Sequence, residues 1–213
     1  MDFPEPPELQ DLLRLQSEVL TLHVASTVVV NTAIALDFYN KPDADELKYT
    51  DTGQLLHSLK YGRHTPDETT RLGRKLCAAL CDVVDRHPLF RDATRLLPVP
   101  GSTRRLSDRI GSTLHRDLGI PLTHVTRRSV ATRPAKDMTS RERAERINDF
   151  SIDEGLAGER VLIVDDLYRT GRTLAEVARV AHSAGADTVY GLVAARTLGS
   201  RDKPPTLYRW QPR

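Results

Sequence analysis

Two adjacent carboxylates, Asp165 and Asp166, stand just ahead of a Thr170-Gly171 pair in the segment Val161–Leu174, VLIVDDLYRTGRTL. Residues of these types in this order suit the recognition of a phosphorylated sugar. Ionised carboxylates accept strong hydrogen bonds from paired sugar hydroxyls. The apolar run Val161–Val164 reads as a buried strand, Leu167–Arg172 as a tight loop, and a helix is expected to open near Thr173. A helix N-terminus offers backbone N–H groups and the positive end of its dipole, which together seat a phosphate. Gly171 lets the backbone approach the anion closely. Thr170 and Thr173 add hydroxyl donors, and Arg169 and Arg172 add positive charge. Neither GxxxxGK[ST] nor a GxGxxG following a strand occurs in the chain, so the loop suits a monophosphate ester on a ribose better than a nucleotide pyrophosphate.

Such a site needs a sheet whose strands end together, because ligands of open α/β folds bind at the carboxyl ends of the strands. The spacing of apolar residues predicts helices over Glu8–His23, Arg71–His87, Leu106–Leu118 and Thr173–Ala184, with Gly119 and Gly185 stopping the last two. Gln54–Tyr61 reads as a short helix or turn. Strands are expected over Val24–Phe38, Arg95–Pro100, Leu122–Val125, Val161–Val164 and Thr188–Ala195. Tyr39–Asp51, with Pro42 and four acids, reads as a polar loop, and the arginine-rich Arg127–Arg146 as a flap. Alternating strands and helices imply an α/β fold, doubly wound around a mainly parallel sheet. Residues 1–50 form an N-terminal helix/strand extension on the core, 51–198 the main domain, and 199–213 a peripheral tail that includes Trp210. Gly101 and Ser102 follow the end of the Arg95–Pro100 strand, where a second anion loop is expected.

Charge supports an anionic ligand. The net charge is only +2, yet residues 1–50 carry nine acids against three bases, and residues 101–150 carry eleven bases against six acids. A basic middle attracts anions, and an acidic front and basic middle are complementary surfaces for a homodimer. The arginine run Arg127, Arg128, Arg133, Arg141, Arg143 and Arg146 closes over an anionic substrate, lies solvated, or gives at most weak, non-specific nucleic-acid binding. With 39% apolar and 28% charged residues, the chain is too apolar for wholesale disorder. Its acidic, proline-rich start is unlike a secretory or transit signal, and the run Val24–Leu36 is too short and too polar to cross a bilayer. A cytoplasmic protein is expected. Cys77 and Cys81, four apart on one helical face, read as core, with no CxxC or HxxxH pattern to suggest a metal.

An apolar strand, Asp165-Asp166, three residues, then Thr170-Gly171-x-Thr173 resembles the 5-phosphoribosyl-1-pyrophosphate (PRPP) signature of type I phosphoribosyltransferases. That resemblance implies that Asp165 and Asp166 hold the ribose 2′- and 3′-hydroxyls. It places the 5′-phosphate on Arg169, Thr170, Gly171, Arg172 and Thr173, with Mg²⁺ carried mainly by PRPP. Further segments resemble the ComF-like branch: QLLHSLKYGR (Gln54–Arg63), RLLPVPGSTRR (Arg95–Arg105), and ATRPAKDMTSRER (Ala131–Arg143) followed by Phe150. By that likeness Lys60, Gly101 and Ser102 lie on the pyrophosphate side. The branch's four-cysteine zinc ribbon is absent, its Arg-Gly-Phe-Asn-Gln motif is replaced by Arg109-Ile110-Gly111-Ser112, and its flap glutamine has no counterpart near Ala135–Lys136.

Two functions are compatible with these residues. One is Mg²⁺-dependent transfer of the phosphoribosyl group from PRPP to a nitrogen nucleophile, releasing pyrophosphate. The other is a binding module of the same fold that senses PRPP or nucleotide, or assists a DNA- or RNA-handling partner. The acceptor is not legible in the sequence, nor is any residue identified as catalytic.

Overall fold

The computed structural model of the 213-residue chain describes residues 7–24, 30–43, 46–101, 106–128 and 150–198. Ser102, the flap residues Arg133, Arg141, Arg143 and Arg146, and the tail with Trp210 lie outside the described residues. In chain order the elements are α1 (Pro7–Glu18), β1 (Leu20–Thr21), β2 (Thr32–Phe38), β3 (Asn40–Asp43), β4 (Glu46–Tyr49), α2 (Asp51–Tyr61), α3 (Pro66–Arg86) and α4 (Pro88–Arg91). There follow β5 (Arg95–Pro98), α5 (Leu106–Leu118), β6 (Thr126–Arg127), β7 (Phe150–Ser151), β8 (Arg160–Tyr168), α6 (Arg172–Ser183) and β9 (Thr188–Arg196).

The central sheet runs in the order β1-β2-β9-β8-β5, with β1 antiparallel at one edge and the other pairs parallel. β8 and β9 are buried along most of their length, as strands covered on both faces must be. Alternate residues of β8 enter separate cores. Leu162 and Val164 pack with Leu56, Leu59, Leu80 and Leu114 from α2, α3 and α5. Val161 and Ile163 pack with Leu174, Val177, Ala178 and Ala181 from α6. This is the predicted doubly wound α/β arrangement. Among the described residues no helix is long and apolar enough to cross a membrane.

Local chemistry sets the helices that matter for the site. α3 opens with a capping box: Glu68 N–H donates to the Thr65 hydroxyl, and Thr65 N–H to the Glu68 carboxylate, with Pro66 in the first turn. The capped helix thus starts five residues before the apolar period beginning at Leu72 suggests. At α2, Thr50 is the cap; its hydroxyl accepts from Gly53 N–H at 2.9 Å and donates to Phe38 O. Gly53 brings the helix down onto the end of β2, where a Cβ would lie 1.8 Å from Tyr39 O.

Several expectations need correction. Tyr39–Asp51 is not a loop: Asn40–Asp43 and Glu46–Tyr49 pair as an antiparallel ribbon, and α2 has begun by Asp51. The ribbon's sequence, with Pro42 and several acids, carries no apolar alternation to read as strand. The strand expected over Leu122–Val125 reduces to a bridge from Leu122 to Leu96 beside β5, and the ladder that follows is Thr126–Arg127 with Phe150–Ser151. Among the described residues, the strand read into Val24–Phe38 occupies Thr32–Phe38. β8 continues beyond Val164 to Tyr168, so the acid pair lies within the strand, and α6 starts at Arg172.

Two glycines should respond oppositely to substitution by alanine. Gly53→Ala drives a Cβ into a backbone carbonyl, and overpacking of this kind costs roughly 1–3 kcal/mol. A Cβ on Gly73, inside α3, meets nothing within 4 Å, and Gly73→Ala should stabilise by about 0.5–1 kcal/mol. Urea-unfolding midpoints of the two variants measure both effects.

Candidate active site

The carboxyl end of β8 carries a connected polar cluster. Asp166 is buried and Asp165 half-buried. Lys60, near the end of α2, donates from Nζ to Asp166 Oδ1 at 2.7 Å, with both side chains only 11% exposed. Ser107, in the first turn of α5 and fully buried, donates from Oγ to Asp165 Oδ1 at 3.1 Å; the backbone N–H of Asp166 donates to the same oxygen at 2.8 Å. Burial, and then the charge of Asp166, push the Asp165 carboxyl up to about 7, while the Asp166 N–H, Ser107 and Lys60 pull the other way.

Beyond the pair, β8 ends at Tyr168 and the chain turns through exposed Arg169 and Thr170 into Gly171. Gly171 has φ +75° and is the N-cap of α6, with no side chain capping the helix. It is closed from behind by Tyr168, whose hydroxyl would stand 2.4 Å from a Cβ at 171. The same hydroxyl donates to His23 O at 2.8 Å. The positive φ and the close approach both require glycine here. The result is an uncapped helix end, with its N–H groups and dipole, flanked in the chain by Arg169, Thr170, Arg172 and Thr173.

On the β5 side, Val99 N–H donates to Val164 O at 2.9 Å and carries the chain to the exposed Gly101. A Cβ on Gly101 would lie 3.8 Å from Ser107 Oγ, the hydroxyl that holds Asp165. Pro100, Gly101, Asp108, Arg109, Ser112 and His124 line an open cleft of about 650 Å³ beside it. The sequence-derived residues that are described thus gather at one strand end. Asp165, Asp166 and the Arg169–Thr173 loop follow one another on one strand end, and Gly101 adjoins them through Ser107. Lys60 is held on Asp166 itself. Arg127, the first of the arginine run and part of β6, lies 5.2 Å from the Phe150 ring centroid.

Sequence reading missed two contributors. Ser107 is one, an ordinary helix residue until α5 is set against β8. The other is an aromatic ladder beside Lys60: Tyr39 and Tyr49 meet edge-on at 5.2 Å, Tyr49 and His57 lie 4.7 Å apart, and His57 and Tyr61 5.2 Å apart. Burial and neighbouring Tyr49 hold the Tyr39 hydroxyl up at about 12, with Asp166 a smaller contributor, so the ladder is electrostatically in touch with the acid pair. Tyr61 is 59% exposed. Only the His57–Tyr61 step, one helical turn, was visible in the sequence; the other rungs come from the end of β2 and from β4.

Residues 105–208, just under half of the chain, match the family model described as "Phosphoribosyl transferase domain". The match takes in α5, β8, the Asp165–Thr173 segment, α6 and β9; Lys60 and Gly101 fall outside it. Among solved structures, the chain is similar to a purine phosphoribosyltransferase from Pyrococcus horikoshii (17% identity, 64% of this chain and 92% of that one, TM-score 0.41). It is also similar to adenine phosphoribosyltransferase from Saccharomyces cerevisiae (16% identity, 89% of each chain, TM-score 0.43). Orotate phosphoribosyltransferase from Aeropyrum pernix gives 16% identity over 87% of this chain and 79% of that one, with a TM-score of 0.38. No curated protein matches the sequence.

The raised Asp165 carboxyl predicts a pH dependence of stability. An unfolded aspartate titrates near 3.8 and this one near 7, so between those values the native state binds the extra proton and stability falls as pH rises. Asp165→Asn removes the effect. The stability of Asp165→Asn relative to wild type should grow from pH 4 to 7.5, by at most about 4 kcal/mol. Urea titrations of both proteins across that range test this; a gap that does not grow means that Asp165 is already ionised at low pH.

Proposed function

We propose that the chain binds PRPP with Mg²⁺ and transfers its phosphoribosyl group to a nitrogen nucleophile, releasing pyrophosphate. The observation that carries this reading is the succession, on one strand end, of a buried acid pair and an uncapped helix N-terminus closed by Gly171. Asp165 and Asp166 accept the ribose hydroxyls. An ionised carboxylate has about four acceptor sites, so Asp166 serves a hydroxyl while keeping Lys60. The 5′-phosphate sits on the first turn of α6 with Thr170, Thr173, Arg169 and Arg172, and the pyrophosphate leaves along the Gly101–Ser102 side.

In the reaction the nucleophile's nitrogen bonds to C1′, the bond from C1′ to the pyrophosphate oxygen breaks with its electron pair leaving on oxygen, and the nitrogen loses a proton. The chain's part is to fix the ribose and to place positive charge where pyrophosphate charge develops. Two carboxylates, one of them paired with Lys60, suit a cation that arrives on the substrate's phosphates better than an all-protein cage. Mg²⁺ bound in that way would neutralise pyrophosphate charge.

Arg169 stands where purine-type members of the superfamily have an acid. A guanidinium stays protonated and has no acceptor lone pair, so it cannot take the nucleophile's proton. Its role is to clamp a phosphate. The exposed ladder from Tyr49 to Tyr61, beside Lys60, offers a face on which a planar acceptor stacks. The segments around Lys60 and Gly101 support placing the protein near the ComF-like branch without the zinc ribbon. The lack of a base at 169 favours a second reading, a PRPP-binding module without transfer.

Calorimetry with PRPP and Mg²⁺, followed by a pyrophosphate-release assay across a panel of nitrogen nucleophiles, tests both readings. Heat with release is expected; heat without release selects the binding module; no heat ends the PRPP reading. Loss of a charged hydrogen bond costs about 1.5–3 kcal/mol. Arg169→Ala should therefore raise the PRPP Kd roughly ten- to a hundredfold and leave the melting temperature unchanged, since the side chain is exposed.

A further inference from the structure

We infer that the cleft between α3 and α5, which meets the open cleft beside Gly101 at Arg109 and Thr113, is a second ligand site for a small organic oxyanion such as a phosphate monoester with a compact apolar body. The cleft encloses about 150 Å³, the size of cavity that holds one benzene-sized group. Its floor is Leu59, Leu76, Leu106 and Ile110, all buried. Its rim carries three guanidiniums, Arg74, Arg109 and Arg116, with the hydroxyls of Thr70 and Thr113 between them. Arg116 donates to Asp117 at 2.8 Å and is largely neutralised. Among the described residues no ion pair engages Arg74 or Arg109, so the rim keeps an excess of positive charge. An apolar floor below forked, weakly hydrated cations suits a ligand with an apolar end and an oxyanion end.

Two further features point the same way. Gly73 lies inside the 21-residue helix α3, where glycine is costly, and it lines the cleft at a point where a Cβ would meet nothing within 4 Å. The position of the cleft is also informative. Leu59 precedes Lys60, which holds Asp166, and Leu106 precedes Ser107, which holds Asp165. An occupant would rest on the back of both helices that fix the acid pair. The inference does not depend on the PRPP reading.

Calorimetric titration of the whole chain with phenyl phosphate tests it. Saturable binding is expected, at least tenfold weaker in Arg74→Gln, the arginine that lines this cleft and not the one beside Gly101, and at least tenfold weaker for uncharged phenol. Gly73→Leu, whose side chain fills the cleft, should abolish binding. Thr173→Ala, which alters the start of α6, should leave it unchanged. The inference is overturned if phenyl phosphate does not bind saturably, if Arg74→Gln binds as wild type does, or if Thr173→Ala removes binding. Arg74→Gln decides the matter even if Gly73→Leu folds poorly, because Arg74 is exposed.

Discussion

Everything at the candidate site depends on placing two adjacent carboxylates at the end of a buried strand. Burying one charge is costly and burying two like charges side by side is worse. The chain meets that cost with three donors drawn from different places: Lys60 from α2, Ser107 from α5, and the Asp166 backbone itself. Neither helix position is free to drift. α2 is tied to the end of β2 by Thr50 and by the close approach at Gly53. α5 lies against β5 and β8, with Leu106, Ile110 and Leu114 in the core shared with Leu162 and Val164.

Tyr168 extends the same logic to the loop. As the last residue of β8 it is aligned with Arg196 of β9, and its carbonyl accepts from Thr197 N–H at 2.8 Å. Its ring closes the back of Gly171 and its hydroxyl reaches His23 O. One side chain thus ties the strand end, the Arg169–Gly171 turn and the segment after β1. The N-terminal part of the chain is joined to the site by this bond and by the pairing of β2 with β9.

The sequence made the centre legible and the periphery poorly so, for physical reasons. Buried parallel strands and amphipathic helices impose long apolar patterns, and Leu106–Leu118 and the two-sided sheet could be read from them. The acids and the TGxT loop were visible because loop, helix start and glycine requirement lie within one short stretch. The strand itself was read too short, because Asp165 and Asp166 break an apolar pattern that the backbone ladder continues through. The β3–β4 ribbon escaped notice because an exposed pair of strands need not alternate. Ser107 and the tyrosine ladder were illegible for another reason: their roles arise from contacts across 58 residues of sequence or between three separate elements.

The charge balance explains why the donors at the acid pair are what they are. A site for a phosphorylated sugar must offer acceptors to hydroxyls and yet not repel phosphate. Two bare carboxylates satisfy the first demand and violate the second. Lys60 cancels one charge at 2.7 Å. Ser107 adds a neutral hydrogen bond to the other, which is raised to about 7 and therefore carries a proton for part of the population at neutral pH. A second lysine in place of Ser107 would hold Asp165 fully ionised and turn the cluster into closed salt bridges with fewer lone pairs left for a sugar. A neutral residue in place of Lys60 would leave Asp166 buried and unpaired. One cation and one hydroxyl is the combination that keeps acceptors available and the local charge low, while Arg169 and Arg172 supply positive charge at the helix end, where the proposed phosphate would sit.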